Sequence, residues 1–230
     1  MYQMSKVLIF TATYNESGNI NQLITKIHKY YSQGDILIVD DNSPDGTQNI
    51  IKKFKKIKLI VRSKKEGLDT AHKLAFRYAK LNKYNYLITM DADLSHEPKE
   101  LPKIVKLLKK NPFVIGSRYM KGGNCNMPLP RLILSVLGNK FIKCILRIKC
   151  DEFTTSYRGF NLDKLTKFNF KNIKSKGYSF FMETVFLINK HYKIVEIPIN
   201  FKNRKSGVSK IPKMEIFRTF KNVILLLLKS

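Results

Sequence analysis

Along residues 1–120, short continuous apolar runs alternate with segments whose apolar residues recur at helical spacing. A run that is apolar at every position is typical of a strand buried on both faces, whereas apolar residues three and four apart indicate a helix. Strict alternation of the two favours a mostly parallel, doubly wound α/β sheet with helices on both sides. Strands are expected at 6–12, 35–40, 58–62, 84–90 and within 112–119, and helices at 17–31, 68–81 and 97–110 and from Thr47 onward.

After about residue 122 the alternation fades. Two later segments, 128–149 and 213–230, combine apolar stripes with Lys and Arg and therefore predict amphipathic helices. We expect one domain over 1–230, with halves at 1–120 and 121–230. Between the amphipathic helices we expect strands at 153–160 and 193–201, a helix at 177–192 and a basic loop at 204–212.

Polar, acidic clusters follow three of the predicted strands: TYNE at 13–16, DDNSPDGT at 40–47 and DADLS at 91–95. Doubly wound sheets bind ligands beyond the carboxyl ends of their strands, so these clusters should converge. Asp91 and Asp93 are spaced so that their oxygens can share a hard divalent cation with a nucleotide diphosphate. Such a cation offsets the charge that builds on a departing diphosphate. The sequence therefore predicts a metal and nucleotide site at this edge.

The chain carries 43 Lys and Arg against 17 Asp and Glu, a formal net charge of +26. This balance favours polyanionic partners: nucleic acid, anionic lipid or phosphorylated substrates. Zinc-ligand spacing, an aromatic RNA-binding motif and a basic region with heptads are all missing from the sequence, which weighs against a nucleic-acid-binding protein. A phosphorylated substrate or a lipid surface is the favoured partner.

Cysteine usage and hydropathy bear on the compartment. The three cysteines are odd in number and form no CxxC pair, so no disulfide or zinc framework is predicted and a reducing compartment is favoured. The N-terminal apolar run predicts a first strand rather than a signal peptide. No stretch offers about 18 uninterrupted apolar residues, so we expect no transmembrane helix.

A series of ordered motifs carries a family resemblance: TYNE (13–16), VDDNSPDGT (39–47), KEGLDTA (65–71), MDADLSH (90–96), GSRY (116–119), TTSYRGF (154–160) and RKSGVSK (204–210). In this order they are similar to the motifs of family 2 (GT-A) glycosyltransferases. The likeness is greatest to the dolichol-phosphate mannose synthases and related polyprenyl-phosphate glycosyltransferases. It extends over nearly the whole chain.

The resemblance implies a set of site residues. Catalytic roles fall to Asp93, Arg118, Arg204 and Lys210. Mg²⁺ or Mn²⁺ would be bound by Asp91 and Asp93, with Ser95 where some relatives carry a Gln ligand. The acceptor phosphate would be bound by Arg131 and Ser209. The nucleotide sugar would contact Ala12, Tyr14, Glu16, Val39, Asp41, Asp91, Ala92, Asp93, Arg118, Arg204 and Lys210.

Some positions depart from the family pattern or stay open. Asp69 replaces a usual Gly, which adds a side chain on the nucleotide side and could alter donor fit. Either Asp151 or Glu152 is the acid that begins the TTSYRGF segment. His96 is interpreted as a capping or surface residue, and a structural role for Glu183 weighs equally with an acceptor role. Ala12 stands where relatives often have Pro, and Asp45 is expected to cap its turn.

By this resemblance the chain is an inverting glycosyltransferase that moves mannose from GDP-mannose onto a polyprenyl phosphate. A phosphate monoester is already an anion, so the acceptor needs cationic positioning more than a general base. The protein would lie on the cytosolic face of an anionic membrane, docked by 128–149 or 213–230 or held by a membrane-spanning partner subunit. The alternatives are UDP-glucose as donor, a non-lipid glycan acceptor, a basic nucleic-acid-binding protein, and an inactive scaffold.

Overall fold

The computed structural model describes residues 5–202 and 215–228, which build one large sheet flanked by helices on both faces. The strands are β1 (Val7–Thr13), β2 (Asp35–Asp40), β3 (Ile57–Val61), β4 (Tyr86–Thr89), β5 (Phe113–Ser117), β6 (Asn124–Cys125), β7 (Arg158–Asn161), β8 (Val195–Pro198) and β9 (Asn200–Phe201). The α-helices are α1 (Ser17–Tyr30), α2 (Thr47–Ile51), α3 (Leu68–Leu81), α4 (Leu101–Leu108), α5 (Leu129–Leu146), α6 (Ser179–Asn189) and α7 (Glu215–Leu227). Short 3-10 helices span Pro98–Glu100 and Phe170–Asn172.

The large sheet has seven strands in the order β3-β2-β1-β4-β7-β5-β8. Its neighbours pair in parallel except around β7, which runs antiparallel to both β4 and β5. Thr89 at the end of β4 lies opposite Arg158 at the start of β7. The chain that leads into β7 therefore reaches the edge where β4 and β5 end. The expectation of a mostly parallel, doubly wound sheet is confirmed.

Each face of the sheet carries its own apolar core. On one face α1, α2 and α4 cover the sheet, with Leu23 of α1 and Ile104 of α4 fully buried. On the other face α3, α5, α6 and α7 pack, with Ala75 of α3 and Val223 of α7 fully buried. Gly159 of β7 permits the close approach of α4, because a Cβ there would come within 2.7 Å of Ile104. No helix among the described residues combines the length and apolarity needed to cross a bilayer.

Three predicted elements differ from the structure. The helix from Thr47 ends at Ile51, and the strand expected at 153–160 begins only at Arg158 and ends at Asn161. The stretch before Arg158 turns instead, because the Glu152 carboxylate accepts the backbone N–H groups of Thr154 and Thr155 at 3.0 and 3.1 Å. The expected 193–201 strand divides into β8 in the large sheet and β9, which pairs with β6.

Asp45 caps its turn, as predicted. Its Oδ1 accepts the Thr47 N–H at 3.0 Å and its Oδ2 accepts the Ser17 N–H at 2.9 Å, which joins the starts of α1 and α2. Desolvation raises the pKa of this carboxyl, but the hydrogen bonds from Thr47 and Ser17 outweigh it and lower the pKa to about 2. The carboxylate therefore stays charged at neutral pH and holds both helix starts beside the carboxyl ends of β1 and β2.

Candidate active site

The DADLS segment forms a tight bend directly after β4, at the edge where the parallel strands end. The backbone N–H of Ser95 donates to Asp93 Oδ1 at 3.0 Å, and Leu94 takes a left-handed conformation with φ of 64°. Asp93 is buried, while 37% of the Asp91 side chain is exposed. Two carboxylates thus lie two residues apart in one bend, and both line the same cleft.

Residues from the turn before β7 support this bend. The Ser156 hydroxyl donates to Asp91 Oδ1, and the Asp91 N–H donates to His96 Nδ1 at 3.1 Å. The other ring nitrogen of His96 lies 3.1 Å from Thr155 Oγ1. His96 is only 1% exposed, so the interpretation as a surface residue was wrong. The stretch 153–157 therefore contacts His96 through Thr155 and Asp91 through Ser156.

Arg118, just beyond the end of β5, forms a two-pronged ion pair with Glu152. Its Nε and Nη2 donate to the two carboxylate oxygens at 2.6 and 2.7 Å, and Nη2 also reaches Thr154 Oγ1 at 2.7 Å. Glu152 is fully buried. Burial alone would raise the pKa of its carboxyl, but the Arg118 guanidinium lowers that pKa by more, so the pKa lies below its usual value. Asp151 instead pairs with Lys143 at 2.5 Å. Of the two adjacent acids, Glu152 is therefore the one that faces Arg118.

Arg158 holds the same turn through hydrogen bonds to backbone carbonyl groups. Its Nε and Nη2 donate to the carbonyl oxygens of Thr155 and Phe153 at 2.7 and 2.8 Å, and its Nη1 donates to that of Phe181 at 2.8 Å. Complete burial lowers the pKa of this guanidinium to about 9. Carbonyl oxygens from the turn and from α6 thus share one buried cation, which holds the 153–157 stretch against the core.

A cleft of about 660 Å³ extends from the carboxylates across α5 to α7. Its polar end is formed by Asp91, Asp93, His96 and Arg118. Arg131, predicted to bind the acceptor phosphate, also lines it. The remaining lining is largely apolar and comes mostly from α5 and α7: Met127, Leu134, Ser135, Leu137, Gly138, Asn139, Phe141, Ile142, Thr154, Thr155, Tyr178, Phe201, Thr219 and Val223.

The predicted nucleotide residues of the first two strands lie at the same sheet edge. Asp41 follows β2, and its Oδ1 accepts from the buried guanidinium of Arg62. The Tyr14 ring follows β1 and lies 4.6 Å below the Lys65 ammonium. Ala12 and Val39 are paired in the sheet, with Val39 fully buried. Glu16 Oε2 accepts from Asn19 at 2.8 Å.

Several predicted residues lie apart from the cleft or outside the described chain. Arg204, Ser209 and Lys210 fall in the segment 203–214, outside the described residues. Asp69 Oδ1 accepts the Gly177 N–H at 3.2 Å, which ties α3 to the segment before α6. Glu183 Oε2 accepts the N–H groups of Lys174 and Ser175 at 3.1 and 2.7 Å, a structural role.

The residues at the polar end fit a divalent cation. Carboxylate oxygens are the ligands that Mg²⁺ and Mn²⁺ prefer, and Mg²⁺ sites commonly use one or two carboxylates together with substrate phosphates. Asp91 and Asp93 supply that number, and no group of three or more His, Cys, Asp or Glu in the described chain forms a fuller ligand set. Ser95 Oγ is buried without a hydrogen-bond partner among the described residues, yet Ser95 is not part of the cleft lining.

Comparison with known sequences decides the family. Residues 8–168 match the model of glycosyl transferase family 2, so the match contains the bend, Arg118 and the turn before β7. The chain belongs to glycosyl transferase family 2. It is therefore a glycosyltransferase, and the resemblance noted from its motifs is confirmed.

Two similar relatives of this glycosyltransferase are bacterial. It is 34% identical over 214 residues to the polyprenol monophosphomannose synthase of Mycolicibacterium smegmatis. This alignment covers 90% of this chain and 81% of the relative. It is 33% identical over 212 residues to the undecaprenyl-phosphate mannosyltransferase of Micrococcus luteus. This alignment covers 90% of this chain and 87% of the relative.

Solved structures show that the glycosyltransferase has the GT-A fold. Glucosyl-3-phosphoglycerate synthase from Mycobacterium tuberculosis, in complex with Mn²⁺, uridine diphosphate and phosphoglyceric acid, superposes with a TM-score of 0.70 at 14% identity, over 98% of this chain and 78% of the other. The same enzyme with Mn²⁺, UDP-glucose and phosphoglyceric acid gives a TM-score of 0.69 at 14% identity, over 98% and 79%. At this identity the likeness concerns the fold.

Sequence reasoning missed several residues that contact the predicted site residues of the glycosyltransferase. His96 was set aside, Glu152 could not be separated from Asp151, and Ser156 and Arg62 were given no role. Ser156 lies inside the TTSYRGF motif, so its motif was a usable signal. Arg62 was detectable only as a lone basic residue after β3, a pattern that is usually a solvated surface.

Proposed function

We propose that this glycosyltransferase transfers mannose from GDP-mannose to the phosphate of a polyprenyl phosphate. The observation that carries the proposal is the shape of the cleft, which joins a polar end with Asp91, Asp93 and Arg118 to an apolar stretch between α5 and α7. A polyprenyl phosphate has the same division, with an anionic head and a long apolar tail. The names of the two relatives, a monophosphomannose synthase and a phosphate mannosyltransferase, agree with this division.

The environment of His96 also supports a phosphate acceptor. His96 is an imidazole of the cleft lining, and its nitrogens are engaged by the Asp91 N–H and by Thr155 Oγ1. It is therefore not placed to take a proton from an incoming hydroxyl group. A phosphate acceptor needs no such base, because its oxygen is already anionic at neutral pH. Such an acceptor needs fixed cations, and Arg118 and Arg131 line the cleft.

The proposed reaction is an in-line displacement. An acceptor phosphate oxygen forms a bond to the anomeric carbon as the bond from that carbon to the donor diphosphate breaks, so the configuration inverts and GDP leaves. Mg²⁺ or Mn²⁺ held by Asp91 and Asp93 would supply charge neutralisation at the departing diphosphate. Arg118, fixed by Glu152 against Tyr119 and Phe201, would hold a phosphate group in position.

Transfer of radiolabelled sugar to a short polyprenyl phosphate in detergent tests this function. GDP-mannose and UDP-glucose are supplied in parallel, with Mg²⁺, with Mn²⁺ and with a chelator. We expect metal-dependent label in the lipid phase from GDP-mannose. Label from UDP-glucose alone would keep the mechanism and change the sugar. Label only in a water-soluble glycan would contradict the polyprenyl acceptor, and retained configuration in the product would contradict the displacement.

We infer that the outer faces of α5 and α7 dock on an anionic membrane at its cytosolic side. The two helices pack together, and each leaves large apolar side chains exposed. Apolar groups beside basic ones are typical of interfacial helices, and each Lys or Arg near an anionic leaflet adds about 1 kcal/mol. The exposed apolar residues outside the cleft are Leu129 and Ile133 on α5, and Ile224, Leu225, Leu227 and Leu228 in or just after α7; Leu134 and Leu137 of α5 are also exposed but line the cleft.

We expect the double variant Leu129→Glu/Ile133→Glu to bind anionic vesicles at least about tenfold more weakly than the unaltered protein. Each substitution replaces an inserted apolar side chain by a carboxylate, which an anionic membrane repels. Vesicle co-sedimentation measures the effect. Leu81→Glu is the matched control: it is 71% exposed, compared with 67% for Leu129, but it ends α3 at the opposite sheet edge. Unchanged vesicle binding in the double variant would favour a membrane-spanning partner subunit instead.

A further inference from the structure

We propose that His96 is a positioning residue for the metal-binding bend: its ring holds the backbone N–H of Asp91 and so sets how Asp91 and Asp93 face the cleft. The inference rests on the proposed function, in which these two carboxylates bind the divalent cation of the nucleotide sugar. His96 itself touches neither substrate nor reacting atoms in this role. It acts on the cation through Asp91.

The hydrogen bonds determine which nitrogen of His96 carries the proton. Nδ1 accepts the Asp91 N–H at 3.1 Å and also lies 3.7 Å from Asp91 Oδ2. Because Nδ1 accepts, the proton of the neutral ring is on Nε2, which faces Thr155 Oγ1 at 3.1 Å. Thr155 Oγ1 also accepts the Tyr157 N–H at 3.2 Å, which fixes the position of this oxygen. The turn before β7 thus supplies an acceptor for the Nε2 proton of the tautomer that the bend requires.

Packing keeps the imidazole in place. The ring is stacked on Tyr157 with centroids 5.1 Å apart, and the edge contact with Phe201 has a centroid distance of 5.6 Å. The Tyr157 hydroxyl donates to the Glu97 carbonyl at 3.0 Å, which fixes the stacking partner to the residue after His96. A ring that stacks on Tyr157, contacts Phe201 edge-on and is engaged at both nitrogens is restricted to one orientation, so the core determines the position of the Asp91 N–H.

The geometry requires a neutral ring, because Nδ1 accepts the Asp91 N–H. A protonated Nδ1 would point a proton at the Asp91 N–H and lose the acceptor. Loss of this acceptor would remove the hydrogen bond that fixes the base of the bend, and the bend would relax.

Two isosteres of His96 separate its two hydrogen bonds. In His96→Asn the side-chain oxygen occupies the place of Nδ1, so the acceptor for Asp91 is kept and the bond to Thr155 is lost. In His96→Gln the side-chain amide reaches the place of Nε2, so the bond to Thr155 is kept and the acceptor for Asp91 is lost. Both variants remove the ring stacking on Tyr157. A role confined to packing would therefore affect both variants alike.

The test is Mn²⁺ binding to the full chain in the presence of GDP, followed by electron paramagnetic resonance, with urea unfolding measured in parallel. We expect His96→Gln to weaken Mn²⁺ binding by about 10-fold or more, the usual effect of removing a partner behind a metal ligand, and His96→Asn to stay within about threefold of the unaltered protein. Similar losses of urea stability in both variants would accompany this difference.

Equal Mn²⁺ affinity in His96→Gln and the unaltered protein would overturn the inference and leave the metal site standing. Absence of Mn²⁺ binding in the unaltered protein with GDP would overturn the proposed metal site and the inference with it. If His96→Gln does not fold, Thr155→Val decides, because it keeps the shape of the side chain and removes the acceptor of the Nε2 proton, which favours the tautomer with Nδ1 free to accept. Unchanged Mn²⁺ binding in Thr155→Val would then overturn the inference.

Discussion

Replacing Asp93 by Asn is expected to lower the rate of sugar transfer by roughly 10³-fold, because the loss of several kcal/mol of charge stabilisation at the leaving diphosphate corresponds to such a factor. The substitution keeps the shape of the side chain. An amide oxygen can still accept the Ser95 N–H that closes the bend, now 3.0 Å from Asp93 Oδ1. What disappears is a negative charge that is buried in the cleft.

Single-turnover transfer from labelled GDP-mannose measures this effect at saturating Mn²⁺. Asp163→Asn is the matched control, since it makes the same chemical change at the far edge of the sheet. Asp163 follows β7 there, and its Oδ2 accepts from Asn85 at 2.9 Å. Its activity should equal that of the unaltered protein. A rate for Asp93→Asn within tenfold of the control would contradict the proposed metal role.

Removing the Glu152 carboxylate should cost about 3–5 kcal/mol of unfolding free energy, because Glu152→Ala leaves a buried guanidinium without its counter-charge. Glu152 is fully buried and receives the Nε and Nη2 groups of Arg118. It also accepts the N–H groups of Thr154 and Thr155, which would lose their acceptor. Urea unfolding followed by circular dichroism gives the difference in free energy.

A double variant separates stability from activity in this pair. Arg118→Met/Glu152→Leu replaces the buried ion pair by apolar groups of similar volume, which is often neutral for stability. We expect it to recover most of the stability lost in Glu152→Ala and to remain at least about 100-fold slower in sugar transfer, since the phosphate-binding guanidinium is gone. Full activity in the double variant would show that Arg118 has only a structural role.

Local patterns sufficed for much of the fold. The bounds predicted for β2 (35–40) and α3 (68–81) agree with the structure, because the apolar positions in each segment have a single period and the ends carry turn or capping residues. The stretch 153–157 was mistaken for strand because Thr and Tyr favour extended backbone. The stretch turns because the Glu152 carboxylate accepts backbone N–H groups within it. The partner of Glu152, Arg118, is 34 residues away in sequence, so a local pattern does not predict the pair.

The candidate site was predictable to a similar degree. Asp91 and Asp93 follow a buried strand, and that position alone pointed to the edge of the sheet where they lie. The place of His96 depends on Thr155, which is 59 residues further along the chain. Asp151 and Glu152 are adjacent acids of the same charge, and only the three-dimensional arrangement shows which one faces Arg118.

The antiparallel insertion of β7 has a consequence for the order in which the chain can fold during synthesis. β4 and β5 are not neighbours in the sheet, because β7 lies between them and pairs with both. Until residue 161 has left the ribosome, β4 has an unpaired edge facing β5, and an open edge is a template for aggregation. We therefore expect nascent chains that end near residue 120 to remain protease-sensitive, and protection to develop cooperatively once β7 has emerged.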